Sequence, residues 1–146
     1  MEWMILPLKK YADFSGRSRR MEYWMFYLFN IIVLFGLIAI GAIIGGVTGA
    51  FDQEEPSGVF LGIVGVLALI YLAIFFIPTL AVSVRRWHDQ DKTGWMVLLF
   101  AVLGAIPFIG WIASIANIVF MCLPGTSGSN KYGEDPLGYD GPAPLV

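Results

Sequence analysis

Residues 23–47 read YWMFYLFNIIVLFGLIAIGAIIGGV, 25 positions without one charged side chain. As an α-helix rising about 1.5 Å per residue, this run is longer than the roughly 30 Å hydrocarbon core of a bilayer. A cleaved export signal has an apolar region of only about 7–15 residues. The run therefore reads as a retained membrane span, although Thr48, Gly49 and Ala50 supply small residues after it.

Two further apolar blocks follow. Residues 59–84 carry no charge, and Pro78 is expected to kink their helix because it removes the partner of the Ile74 carbonyl. Residues 94–123 are also uncharged, but 30 residues make about 45 Å of helix, too long to span without more than about 40° of tilt. Gly104, Pro107, Gly110 and Trp111 gather there as a break, a turn and an interfacial aromatic. The block is thus expected to be broken at Pro107, as one tilted helix or, preferably, as a hairpin of 94–106 and 108–123. The fold class predicted is all-α: a polytopic helical integral membrane protein with three to four transmembrane segments.

Composition agrees. Hydrophobic residues make up 58% of the 146 and charged ones 14%, where a soluble domain has about 45–50% and about 25%. Too few charges remain to cover a water-soluble globule of this size. The lone Cys122 excludes an internal disulfide and a cysteine-based metal cluster. No metal or cofactor is expected, and no nucleic-acid partner.

The net charge of −2 hides a segregation. Lys9, Lys10, Arg17, Arg19 and Arg20 precede the first span, and Arg85, Arg86 and Lys92 lie between the second and third. The intervening loop has only Asp52, Glu54 and Glu55. Lys and Arg are retained in the cytoplasm, so residues 1–22 form a cytoplasmic basic and aromatic interfacial segment, with the 85–92 stretch on the same side. Residues 23–123 form the transmembrane domain. Residues 124–146 read as an irregular, mobile tail rich in Gly and Pro.

Three polar stretches carry whatever chemistry the chain has. Tyr11 to Trp24 mixes aromatics with Arg17, Arg19 and Arg20. These residue types fix a helix at the interface, and three arginines there could also meet anionic head groups. Ser18 is a candidate cap and Glu22 suits a first helical turn.

The second stretch, Arg85 to Trp95, reads as a tight polar loop holding the only histidine. His88, Asp89 and Asp91 could act as a base or hold a divalent ion. One turn gives no nucleophile and no second ligand set, so a structural loop knitted by Arg–Asp pairs is the plainer reading. The third stretch, Pro124 to Pro136, is a run of turn residues without a phosphate-cradling pattern.

Within the spans, Gly41/Gly45, Gly45/Gly49 and Gly58/Gly62 have GxxxG spacing, which allows close helix approach. Asn30 and Asn117 are expected to hydrogen-bond between helices. No ionisable residue lies within a span, which counts against a proton- or ion-coupled transporter.

The three stretches together resemble the bacterial YhaH-like inner-membrane proteins, domain of unknown function 805. The likeness rests on Phe14 to Trp24, on Arg85-Arg86-x-His88-Asp89 before Gly94-Trp95, and on Pro124-Gly125-Thr126-x-Gly128-x-Asn130-x-Tyr132-Gly133-x-Asp135-Pro136. Trp87 stands where that pattern has Leu, and the acidic loop is longer than in compact members. The resemblance implies a small multi-pass protein of the bacterial inner membrane and no particular activity.

If the three stretches share one face, the third block is a hairpin and the tail is cytoplasmic. Arg17, Arg19 or Arg20 would then pair with Asp89, Asp91, Glu134 or Asp135. Glu22, Arg85, Arg86, His88 and Asn130 complete this candidate cap. The function expected is a non-enzymatic accessory or regulatory membrane module. A small oligomeric transporter or channel, and a lipid head-group enzyme using the His88–Asp89 stretch, are the alternatives. Partners expected are the bilayer, anionic lipid head groups, and a membrane protein or a second copy.

Overall fold

The computed structural model describes the backbone of residues 2–51 and 56–138, with side chains over 3–47 and 61–138. The regular elements among the described residues are all helices, with no strand: α1 (Glu2–Lys9), α2 (Arg20–Phe51), α3 (Pro56–Asp89), α4 (Met96–Gly104) and α5 (Ile109–Cys122). The acidic loop at Asp52, Glu54 and Glu55, and the side-chain environment of Gly49 and Gly58, lie outside the described residues.

α2 and α3 pack along each other as a long antiparallel pair, about 48 and 51 Å in length. Their seam is aromatic: Phe75 lies 6.4 Å from Phe26 and 6.0 Å from Phe29, and it stacks on Tyr71 at 4.8 Å. Among these rings Asn30 makes a polar link that is satisfied at both ends. Asn30 donates to the Phe26 carbonyl at 2.7 Å and accepts from the Tyr71 hydroxyl at 2.8 Å. Such bonds contribute about 0.6 kcal/mol on average. Further along, a Cβ on Gly41 would stand 2.7 Å from Val64, so this glycine allows the two helices to approach closely there. Gly62 faces open space and plays no such part.

What surrounds the pair is the reverse of a soluble fold. The most apolar 18-residue windows of α2 and α3 are only 17% and 11% buried, whereas a soluble core helix would be mostly covered. Phe35, Ile43 and Leu69 are each about two-thirds exposed. Meanwhile Arg17, Glu22, Arg85, Arg86 and Asp89 are buried. An apolar surface this continuous is soluble only in lipid.

The third apolar block is broken at Pro107, as predicted. α4 ends at Gly104, Phe108 takes a positive φ of 64°, and α5 starts at Ile109. The turn closes tightly, because a Cβ on Gly110 would lie 2.5 Å from the Gly104 carbonyl oxygen. Both ends of this hairpin rest on the same residue. Trp87, fully buried, stacks on Phe100 of α4 at 5.3 Å and meets Phe120 of α5 at 5.4 Å. At about 14 and 21 Å, neither helix reaches across the roughly 30 Å core by itself.

Pro78 lies inside α3, as expected, with helix on both sides of it. Three readings from sequence are corrected. Residues 85–89 are not a loop but the last turn of α3, and the turn proper begins at Gln90. Charge marks where lipid ends, whereas the backbone has no reason to stop there, since Arg, Trp and His all sustain a helix. Ser18 does not cap α2, because its buried hydroxyl has no hydrogen-bond partner among the described residues. Finally, residues 124–138 of the tail fold back onto α3 in ordered turns.

Candidate functional site

The last turn of α3 lies beyond the uncharged run that ends at Val84. Around it the chain gathers its buried charges. Asp89 stands at the centre: Arg17 Nε donates to Oδ1 at 3.0 Å and Arg86 Nη1 donates to Oδ2. The Asp89 backbone carbonyl accepts from the Thr126 amide at 2.8 Å and from its hydroxyl at 3.2 Å. One residue of α3 thereby joins the N-terminal segment, its own helix and the tail.

The two arginines extend the knot. Arg17 also donates to the carbonyls of Gly128 and Thr126. Arg86 donates to the carbonyls of Met121 and Leu123, which α5 leaves unpaired at its C-terminal end. Planar, five-donor guanidinium groups suit this work, since each reaches a carboxylate and loose carbonyls at once. Gln90 donates to the Phe120 carbonyl in the same way.

Gly125 makes the closest approach. A Cβ there would fall 2.1 Å from Asp89 Oδ2, and the two arginines leave that carboxylate no room to retreat. Gly125→Ala is expected to cost about 1–3 kcal/mol as an overpacking change. The measurement is thermal unfolding of the purified chain in detergent, with Gly104→Ala, which meets open space, as a control expected to melt near the wild type.

His88 has a different environment. Its ring stacks on Tyr132 at 3.8 Å with planes 6° apart, and Nδ1 lies 3.3 Å from the Gly16 carbonyl. Asn130 donates to the His88 carbonyl and, through Oδ1, accepts the Tyr132 amide. Burial pushes the imidazole below the ordinary 6.5; the Gly16 contact opposes this and Lys131 adds to it. A depressed histidine stabilises the fold fully above pH 6.5 and loses that contribution as pH falls through the lower folded value. As the only histidine, it can be titrated by NMR without assignment. Its midpoint is expected below 6.5, rising toward it in Tyr132→Ala; a wild-type midpoint at or above 6.5 contradicts the stack.

Residues 11–134, which hold nearly all of this cap, match the family described as "Protein of unknown function (DUF805)". The chain belongs to the DUF805 family. Inner membrane protein YhaI of Escherichia coli K12 is 45% identical over 136 residues, covering 93% of this chain and 96% of that protein. Inner membrane protein YhaH of the same strain is 42% identical over 136 residues, covering 93% and 97%. No solved structure matches the chain.

The remaining predicted residues fall unevenly on this DUF805 cap. Glu22 and Arg85 pair with each other, 3.2 Å apart and nearly inaccessible. Asp135 accepts the Gly128 and Leu137 amides at 3.1 and 2.8 Å, fixing a turn of the tail. Arg19 lies over the Trp3 ring at 5.3 Å and Arg20 donates to the Cys122 carbonyl at 3.3 Å. Asp91 is exposed, only 3.7 Å from Lys131, and Glu134 is exposed. His88, Asp89 and Asp91 therefore do not converge. Among the described residues, no three His, Cys, Asp or Glu side chains come together as a metal site would need.

Sequence reasoning did not find Gly125, Thr126 or α1. Gly125 and Thr126 were visible as parts of the Pro-Gly-Thr pattern, but only the fold shows that this turn presses on Asp89. α1, with Trp3 and the buried Pro7, precedes the segment that matches the family.

Proposed function

We propose that this DUF805 protein is a non-enzymatic accessory or regulatory module of the bacterial inner membrane, passing the bilayer more than once, with its N-terminus and polar cap in the cytoplasm. The observation that carries this reading is the state of Asp89. Both carboxylate oxygens accept from buried arginines, so the strongest candidate base is committed to holding the cap together. His88 is likewise held by a stack and a backbone contact. A cap built this way holds three chain segments in one arrangement and offers its outer surface to partners.

The orientation rests on the Lys and Arg distribution, and the cytoplasmic tail on the hairpin, whose two ends meet Trp87. Single cysteines at positions 52, 91 and 134, introduced into a Cys122→Ser background, test both. In spheroplasts an impermeant thiol reagent is expected to label position 52 alone, with 91 and 134 reacting only in inverted vesicles. Labelling of 91 or 134 from outside sinks the orientation.

A further inference from the structure

Between α1, the start of α2 and the folded tail lies a cavity of about 510 Å³, within the roughly 300–1,000 Å³ usual for small-molecule sites. Trp3, Met21 and Leu137 give it an apolar wall; Arg17, Arg19, Arg20, Asp89 and Asp135 give it an ionic one. The charges there are unequal in what they have left to bind. Asp89 is neutralised by Arg17 and Arg86, and each Asp135 oxygen accepts a backbone amide. Arg19 and Arg20 have no carboxylate within 4.0 Å among the described residues. Two guanidinium groups thus face the cavity without a counter-charge among the described residues.

The cavity also opens at a boundary. Met21 is 58% exposed, and about two to three turns further along α2 Tyr27, Leu28 and Ile31 begin the outward apolar surface. An occupant would have its anionic part against the arginines and its apolar part continuing onto α2. Guanidinium forks match phosphate oxygens two at a time. A zwitterionic head group would bring its own ammonium toward the same cations.

From this geometry we infer that the cavity binds the head group of an anionic phospholipid, with Arg19 and Arg20 on the phosphate and Trp3, Met21 and Leu137 against the glycerol. Which leaflet supplies it rests on the orientation proposed above; the binding itself does not.

The test uses the purified full chain in detergent, titrated with phosphatidylglycerol or phosphatidylcholine, the retained adducts being counted by native mass spectrometry. Both lipids carry the phosphate and only phosphatidylcholine adds an ammonium that Arg19 and Arg20 repel, so phosphatidylglycerol should be retained at least about tenfold better. Arg19→Gln/Arg20→Gln should bring the two lipids to parity. It should leave the tail as resistant to trypsin as in the wild type, because neither arginine belongs to the Asp89 knot. Should that double variant misfold, Trp3→Ala, which leaves every charge in place, is expected to weaken phosphatidylglycerol retention severalfold. Equal retention of both lipids by the wild-type protein overturns the inference, as does unchanged preference in the arginine variant or unchanged retention in the Trp3 variant. Displacement of bound phosphatidylglycerol by millimolar inorganic phosphate overturns the lipid assignment in favour of a free anion. Loss of lipid selectivity with an intact tail, set beside the cysteine-labelling result, separates failure of this site from failure of the proposed orientation.

Discussion

Asp89→Asn is expected to release the tail. The substitution keeps the shape of the side chain and removes its charge, leaving Arg17 and Arg86 with 1% and 0% of their side chains exposed and no anion between them. Removing one partner of a buried ion pair costs about 3–5 kcal/mol, because the remaining charge stays desolvated. Here two cations are stranded, and they also repel each other. The tail is joined to the rest through Thr126 on the Asp89 carbonyl, Arg17 on the Gly128 and Thr126 carbonyls, Asn130 on the His88 carbonyl and Tyr132 on the His88 ring. The Asp89 and Arg17 links go through the knot itself. Lys131 is exposed and gives trypsin a site within that segment. When opening is fast relative to cleavage, the rate follows the open population, and 3 kcal/mol is about a hundredfold. Digestion of the detergent-solubilised chain should therefore cut after Lys131 at least about a hundred times faster in the variant. Cleavage at the wild-type rate would remove Asp89 from the centre of the cap.

Much of this architecture can be read from sequence, for a physical reason. A span is a property of a run of residues, and the uncharged blocks at 23–47 and 59–84 are long enough to need no tertiary information. The break at Pro107 is similarly local, since Gly104, Pro107 and Gly110 act on their own backbone. The cap is different. Arg17 and Asp89 are 72 positions apart, and nothing near either says whether its charge faces water or a partner. Surface arginines that snorkel and buried arginines that pair have the same one-letter code. The family pattern ties the three polar stretches together as a set but does not say that Arg85 pairs with Glu22 and Arg86 with Asp89, adjacent residues of one helix serving two separate sites. Helix ends were misread for the same reason: Arg85 and Arg86 lie outside the apolar run yet inside α3.

Those adjacent arginines differ in how well they are satisfied, and this gives the second large effect. Arg85 Nη2 is 3.2 Å from Glu22 Oε1, but no nitrogen of Arg85 has a hydrogen-bond partner among the described residues, nor does Glu22 Oε1. Buried ion pairs repay desolvation only when geometry and additional hydrogen bonds are good. This pair has proximity without them, so its members matter chiefly by cancelling each other. Glu22→Gln should cost about 3–5 kcal/mol by stranding the Arg85 charge. For a chain of about this length that lowers the melting temperature by on the order of 10 °C. Glu22→Leu combined with Arg85→Leu should recover most of the loss, because apolar residues of similar volume replace such pairs at little or no cost. The same double change at Asp89 and Arg86 should not recover, since Arg86 also ties down the Met121 and Leu123 carbonyls at the end of α5. Thermal unfolding of these three variants in detergent, with Asp89→Asn as the single change at the second pair, decides the matter. A Glu22→Gln protein that melts with the wild type, or a Glu22/Arg85 double variant that melts below the single one, would show that this pair orients α2 on α3 through contacts its charges do not supply.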